Sequence, residues 1–474
     1  MTASVASHPE GDRTITAPQA VLSTPARLLI AAWGIFLGLL PLPLASNRPL
    51  FWCINAVVAG CFVAAVALLR PAPTRFDGLI RTGLVLSALL ATALLGWMLV
   101  QALMPLALGS PLADPIWAAA AEALGEPLTA RITAAPWQTL LAALRFATAA
   151  AVFWVTLRLA THPGGAAALL RWLMWASAAY ALYGLVLNLM GSSTILWFEK
   201  WAYRDSLTAT FVNRNAAAAY FGIGLLAALA EAICAVRRRS ATSLAYLLLL
   251  LVPLAILANA IVLTGSRSGA AATALAAGVG LLLLVSVRRA PVLIVPLLAV
   301  MLVGLALATL HVSGAHLMAR IEADGGSGQS RLWLYRTVAE MIAARPLTGI
   351  GAGTFQLVFP AWREPGQEMF LIWAQAHNIY LELAVELGLP AAAAMLLLVM
   401  LLMLMCARAL RRSESDWHVA LFALTSWLLL AVQGLVDFAL QYQAITLTAA
   451  AALAMGIVSA AKPASEPARP RQSR

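Results

Sequence analysis

The sequence contains very little charge. Only 11% of its 474 residues are Asp, Glu, Lys or Arg, and 62% are hydrophobic, whereas an average soluble domain has about 25% charged residues. A chain of this composition has too few polar side chains to cover a water-soluble fold. Most of it must therefore lie in lipid.

Motifs of several enzyme and binding classes are also missing. The sequence has no acidic pair with hydrolase spacing, no Asp-rich metal motif and no Ser nucleophile elbow. Its four cysteines have no zinc-ligand spacing and no partner for an extracytoplasmic disulfide. These patterns therefore predict no metal site. The net charge of +11 comes largely from loops and a basic tail, so it does not indicate a nucleic-acid partner.

Apolar stretches of about 20 residues recur along the chain, and each can cross a hydrocarbon core of ~30 Å as a helix. They predict an all-α, polytopic integral membrane protein with about twelve transmembrane helices. The predicted spans are 27–45, 50–69, 83–107, 138–158, 168–190, 215–235, 243–263, 268–287, 291–311, 383–407, 418–437 and 443–461. We expect residues 1–26 to form a disordered arm, 27–461 a single transmembrane domain and 462–474 a basic tail.

The orientation is predicted by the basic residues, because Lys and Arg accumulate in short cytoplasmic loops. With strict alternation of twelve spans, all the basic clusters fall on one face and both termini are cytoplasmic. The long loop 312–376 is then extracytoplasmic. The clusters are Arg13/Arg27, Arg70/Arg75/Arg81, Arg158/Arg171, Arg237/Arg238/Arg239, Arg288/Arg289, Arg408/Arg411/Arg412 and Lys462/Arg469/Arg471/Arg474.

Two short extracytoplasmic segments carry arginines beside polar residues. Arg214 begins the sixth span, flanked by Asn213 and Asn215 and followed by small alanines that leave space. Arg267 follows Ser266 in the turn 264–269, which opens the eighth span. Free N–H groups at a helix N-terminus together with a guanidinium group favour an anion, usually phosphate. The alternative is that each arginine only reaches the lipid headgroups.

The segment at 111–117 predicts a short helix in the interface, because Asp114-Pro115 is a helix start and Trp117 suits that depth. We assign this helix to packing. The long loop should contain another helix, from Ser330 to Ala344, where apolar residues repeat at helical spacing. Alternating glycines follow at 349–353. No strand precedes them, so they predict a turn and not a nucleotide-binding loop.

The long loop ends in His377-Asn378, directly before the tenth span. A single histidine is more often a structural hydrogen-bonding residue than a base. Here the length of the loop and the arginines on the same face favour a functional role. Imidazole can accept a hydroxyl proton near neutral pH, so we predict that His377 is a general base.

These residues resemble the O-antigen ligase and polymerase superfamily. In that family a His followed by Asn, Ser or Gln, then nine residues, a Gly and a small residue three positions later close the large periplasmic loop. This sequence has His377, Asn378, Gly388 and Ala391. The resemblance covers about 200–395, and the earlier spans only in topology.

The resemblance implies a GT-C-like membrane glycosyltransferase of the bacterial inner membrane that uses an undecaprenyl-diphosphate-linked glycan and needs neither metal nor nucleotide. It implies catalysis by His377 and diphosphate binding by Arg214 and Arg267. Possible supporting residues are Asn378, Asn213, Asn215, Ser266, Arg331, Arg336 and Arg363.

The sequence is compatible with two kinds of acceptor. A ligase would transfer the glycan to lipid A–core, and a polymerase would transfer it to another lipid-linked repeat. A transporter or flippase is a more distant alternative. Transporters usually bury ionisable groups near the midplane and have repeated halves, whereas Arg145 is the one charge well inside a predicted span and no half-repeat is evident.

Overall fold

The computed structural model describes residues 24–69, 74–238, 241–288, 327–363, 373–414 and 416–463. Four two-residue strands form two small antiparallel pairs, β1 (Thr74–Arg75) with β4 (Lys462–Pro463) and β2 (Thr194–Ile195) with β3 (Phe198–Glu199). The helices are α1 (Thr24–Leu39), α2 (Pro49–Leu69), α3 (Gly78–Leu103), α4 (Ile116–Leu124), α5 (Pro136–Ala160), α6 (Gly165–Leu189), α7 (Arg214–Arg238), α8 (Ala241–Leu263), α9 (Arg267–Arg288), α10 (Ser327–Ala344), α11 (Phe355–Val358), α12 (Ile379–Leu387), α13 (Leu389–Arg412), α14 (Trp417–Gln433) and α15 (Gln443–Val458).

The predicted all-α polytopic membrane architecture is confirmed. Within the described ranges, eight helices are long and apolar enough to cross a membrane, and three shorter helices, α1, α14 and α15, are also apolar. These helices correspond to eleven of the predicted spans. The span predicted at 291–311, most of the arm 1–26 and most of the tail lie outside the described residues.

Helix α7 is the centre of the bundle. Every residue from Ala216 to Ala235 is buried, and 89% of its most apolar stretch is buried, compared with 17–44% for the other seven long helices. Its glycines allow this packing, because a Cβ added at Gly222 would collide with Thr273 and Leu429, and one at Gly224 with Ser177. The N-terminus of α7, and with it Arg214, is therefore held at the middle of one end of the bundle.

The opposite end of the bundle carries several of the basic residues and their acidic partners. Asp77, before α3, accepts hydrogen bonds from Arg408 (2.7 Å) and Arg412 (3.2 Å) of α13. Glu231 of α7 lies 3.6 Å from both Arg171 of α6 and His418 of α14. These contacts join the start of α3, α6 and α14 to the end of α7 and α13, so arginines cluster at one end of the protein.

The loop after α10 folds back onto the bundle, and the glycines at 349–353 make this possible. Gly349, Gly351 and Gly353 have φ angles of 65°, 105° and 73°, which only glycine adopts easily. A Cβ at Gly351 would also collide with the side chain of Thr133. Ile350 and Gly351 donate to the carbonyls of Val385 (2.9 Å) and Glu386 (3.0 Å). The predicted turn is therefore present, and it packs against the end of α12.

The tenth predicted span, 383–407, differs from the structure. Gly388, with φ 80°, separates α12 from α13, so the polar residues before it belong to a separate short helix. The sequence pattern is apolar on both sides of Gly388, and hydropathy alone does not reveal the break. The segment 347–351 packs closely against this break, since a Cβ at Gly349 would collide with the Glu386 carbonyl and one at Gly388 with the Leu347 carbonyl.

The short helix predicted after Asp114-Pro115 is present as α4, and α10 ends before Arg345-Pro346 as predicted. These two elements are joined, because Arg345 donates to the Asp114 carboxylate (2.9 Å) and to the carbonyls of Leu112 and Ala113. Both partners of this ion pair are largely buried. The pair fixes the end of α10 to the segment before α4.

The Asp77 contacts generate a stability prediction. Burial acts to raise the pKa of Asp77, but hydrogen bonds from Arg408 and the Ile80 N–H outweigh it and lower the pKa below the usual value. The stabilisation is therefore fully present at neutral pH and is lost only as the pH falls through this lowered pKa. Asp77→Ala removes the helix cap and both ion pairs, and we expect it to cost about 1–2 kcal/mol. Asp77→Asn keeps the cap and should cost less.

Thermal unfolding in detergent at pH 7 measures this difference. Asp416→Ala is the matched control, because Asp416 also precedes a helix but its side chain makes no capping hydrogen bond. Equal melting temperatures for Asp77→Ala and the wild type would contradict the assigned role.

Candidate active site

The N-termini of α7 and α9 lie side by side. Ser266 donates from its hydroxyl to the side-chain oxygen of Asn215 (2.8 Å) and accepts from the Gly269 N–H (3.2 Å), so it caps α9 and links it to α7. Asn213 caps α7 by accepting from the N–H groups of Asn215 (2.6 Å) and Ala216 (3.4 Å). Asn213, Asn215 and Ser266 thus hold the two helix starts together.

Arg214 and Arg267 are the first residues of these two helices. The Arg214 guanidinium lies 5.5 Å from the ring centroid of Tyr203, and a Cβ added at Gly265 would lie 3.5 Å from its Nη1 atom. Arg267 is exposed. Two adjacent helix N-termini therefore each begin with an arginine, an arrangement that favours an anion with more than one charge.

His377 has an unusual backbone conformation and an aromatic surrounding. Its φ angle is 51°, a left-handed conformation that costs a non-glycine residue about 1–2 kcal/mol. Its carbonyl accepts a hydrogen bond from the Tyr335 hydroxyl of α10 (3.0 Å). The rings of Trp373 and Phe438 meet the imidazole edge to face, at 5.3 Å and 4.8 Å between centroids. These contacts fix the direction of the half-buried imidazole.

Asn378 caps α12 and ties the segment to the end of α14. Its side-chain oxygen accepts from the N–H groups of Tyr380 (3.0 Å) and Leu381 (3.1 Å), while its Nδ2 donates to the Leu435 carbonyl (3.0 Å). The next residue, Ile379, donates to the Gly434 carbonyl (2.9 Å). His377-Asn378 is therefore held against the turn that follows α14.

This turn, residues 433–438, connects the two halves of the site, and we call it the junction turn. At its start, buried Gln433 donates to the carbonyl of Asn215 (2.9 Å) and to the Asp437 carboxylate (3.3 Å). At its end, Phe438 contacts His377. The two arginine-bearing helix starts and the histidine loop thus meet at one turn, although they are far apart in the chain.

Two of the other three predicted arginines make contacts within the long loop. Arg336 is exposed and pairs with Glu340 on its own helix (3.2 Å). Arg363 lies over the ring of Phe359 (5.6 Å). The side chain of Arg331 lies outside the described residues.

Sequence reasoning gave no role to Gln433, Asp437 or Phe438. One signal was available: a Gln and an Asp four residues apart at the end of an apolar span are on one side of a helical turn, where lipid would not solvate them. Nothing in the local pattern indicates that Gln433 reaches Asn215, which is 218 positions earlier.

A comparison with protein families indicates which family the chain resembles. The family described as O-antigen ligase matches residues 252–396, so the predicted resemblance to that superfamily is confirmed for this segment. The segment includes Arg267 and His377-Asn378, whereas Arg214 and the junction turn lie outside it. A comparison with curated proteins finds no match. The family match supports a membrane glycosyltransferase of the ligase or polymerase type.

Gln433 provides a test of the junction turn. Gln433→Met keeps most of the side-chain volume but removes both hydrogen bonds, which leaves polar groups of Asn215 and Asp437 in a buried site with fewer partners. We expect a loss of about 1–3 kcal/mol in stability, measured as a lower melting temperature in detergent. Gln138→Met, at a partly exposed glutamine of α5, is the control. An unchanged melting temperature for Gln433→Met would show that the junction turn does not depend on this side chain.

Proposed function

We propose that the protein transfers a glycan from an undecaprenyl-diphosphate-linked donor to an acceptor hydroxyl on the periplasmic side of the bacterial inner membrane, as an O-antigen ligase acting on lipid A–core. The observation that supports the proposal is that the helix starts bearing Arg214 and Arg267 and the loop bearing His377 are linked to the junction turn. The O-antigen ligase match over 252–396 supports the same reaction class.

For this donor the protein has to supply cationic groups, whereas the leaving group needs little activation. Its diphosphate is already a good leaving group, so the protein has to hold the two phosphates and stabilise the charge that develops on them. Arg214 and Arg267 would bind these oxygens together with free N–H groups at the starts of α7 and α9. This arrangement needs no metal from the protein.

His377 would act on the acceptor. Its imidazole takes the proton of the acceptor hydroxyl while the hydroxyl oxygen attacks the anomeric carbon. The bond from that carbon to the diphosphate oxygen breaks, and undecaprenyl diphosphate leaves with the electron pair. Attack from the side opposite the leaving group inverts the anomeric configuration. The fixed aromatic surrounding of His377 supports this role, because a base must be held at the acceptor oxygen.

The alternative within the same superfamily is an O-antigen or exopolysaccharide polymerase. It would use the same donor chemistry and the same residues, with a second lipid-linked repeat as acceptor. Deletion of the gene distinguishes the two. Accumulation of lipid-linked polymer with unmodified lipid A–core is expected for a ligase, whereas accumulation of single lipid-linked repeats would favour a polymerase. Unchanged surface glycans would contradict both assignments.

Removal of the base is the first prediction for the reaction. His377→Asn removes the imidazole, and Asn tolerates the left-handed backbone at this position. We expect transfer to fall by about 10²–10⁴-fold while insertion, melting temperature and donor binding stay near wild type. The measurement is glycan transfer by purified protein with a lipid-diphosphate donor. Full activity in His377→Asn and His377→Ala would exclude His377 as the base.

The second prediction for the reaction concerns the two arginines proposed to bind the donor. Arg214→Ala and Arg267→Ala should each weaken binding of the lipid-diphosphate donor about tenfold or more, because a hydrogen bond to a charged group contributes about 1.5–3 kcal/mol. Arg131→Ala is the matched control, since Arg131 bonds to the Leu103 carbonyl and has no part in the site. Unchanged donor affinity in both site variants would return the two arginines to an anchoring role.

A further inference from the structure

A buried carboxylate lies directly behind the segment that carries His377. Glu382 of α12 is 3% exposed, and both of its oxygens accept hydrogen bonds. One accepts from the Ala376 N–H (3.0 Å) and the other from the side-chain amide of Gln441 (2.8 Å). The proposed reaction uses neither Glu382 nor Gln441.

These two hydrogen bonds reach the two sides of His377. Ala376 directly precedes His377, whose left-handed backbone needs support from its surroundings. Gln441 ends the 3₁₀ turn Ala439–Gln441, and its N–H donates to the carbonyl of Phe438 (2.8 Å), the residue whose ring contacts the imidazole. A single carboxylate therefore joins the backbone before His377 to the turn that packs against it.

Arg145 of α5 determines the direction of this chain of hydrogen bonds. Its guanidinium donates to the Gln441 carbonyl and to the Gln441 side-chain oxygen (3.3 Å), and it lies 4.5 Å from the ring centroid of Trp52. With a cation on one side of the Gln441 amide, the oxygen must face Arg145 and the NH₂ must face Glu382. Glu382 consequently meets a donor on each side.

We propose that Glu382 is a positioning residue that, with Gln441 and Arg145, holds His377 in its working conformation. Only an ionised carboxylate accepts on both sides. Burial and the nearby Glu386 raise the pKa of Glu382, whereas the Ala376 N–H, Arg145 and the Gln441 amide lower it. Each oxygen faces a donor, which is the geometry of the ionised form. An amide at position 382 would accept from Ala376 but present its NH₂ to the NH₂ of Gln441, and Gln441 cannot turn round without presenting the same group to Arg145. The effect on activity rests on the proposed transfer reaction, but the effect on the conformation of His377 does not.

Exchanging the carboxylate and the amide between positions 382 and 441 tests the proposal. In the double variant Glu382→Gln, Gln441→Glu, the amide accepts from Ala376 and donates to a carboxylate that faces Arg145, so every donor again has an acceptor. We expect Glu382→Gln alone to lower kcat for glycan transfer about tenfold or more with little change in the donor KM, and the double variant to recover most of that loss. Glu340→Gln, at an exposed glutamate, is the control.

A second readout measures the conformation of His377 without using activity. Diethyl pyrocarbonate modifies accessible imidazoles, and mass spectrometry gives the rate at His377. We expect this rate to change at least severalfold in Glu382→Gln and to return towards wild type in the double variant. If Glu382→Gln does not fold, Gln441→Leu, which keeps the bond from Ala376 to Glu382 but removes the side-chain bonds of Gln441 to Glu382 and Arg145, should change the rate in the same way.

An unchanged rate at His377 in folded Glu382→Gln, or a double variant as impaired as the single one, would overturn the positioning role. The outcomes also separate the two proposals. If the wild-type protein transfers no glycan but the modification rate changes and recovers as described, the transfer reaction is wrong and the positioning role stands.

Discussion

The hydrogen bond from the Gln433 amide to the Asn215 carbonyl is the contact on which the arrangement of the site depends. It crosses from the end of α14 to the first turn of α7, and the same amide also meets Asp437. The turn that follows holds His377-Asn378 through Gly434 and Leu435. A buried amide at this position must have partners, and satisfying it brings the arginine-bearing helix starts and the histidine loop to one end of the bundle.

Small residues and glycines support this arrangement. The small residues of α7 allow it to occupy the centre of the bundle, so its N-terminus is surrounded by other elements instead of lipid. The glycines at 349–353 and Gly388 let the long loop pack against α12 and let α12 end before α13 begins. Charged residues then occur mainly at the two ends of the protein, arginine-rich pairs at one and the candidate site at the other. That separation is what a bilayer requires of a polytopic chain.

Much of this could be predicted from the sequence. Eleven predicted spans have a corresponding helix, and α4 and α10 begin and end close to the expected residues, because apolar length, helical periodicity and Pro signals are local. The residues Arg214, Arg267 and His377 could be selected from their position at span ends. The contacts that hold their segments together could not, since Gln433 and Asn215, or Arg145 and Gln441, are hundreds of positions apart. The break at Gly388 is not evident in the local pattern for a related reason: the segment that packs against it, 347–351, is distant in sequence.

The central claim is that Arg214, Arg267 and His377 form one site for a lipid diphosphate. Protection of His377 from diethyl pyrocarbonate by undecaprenyl diphosphate tests it most directly. The predicted result is a slower modification of His377 in wild-type protein with saturating lipid, and no such protection when Arg214 and Arg267 are both replaced by alanine. Modification of His377 at the same rate with and without the lipid, or protection that persists in the arginine variant, would contradict the claim.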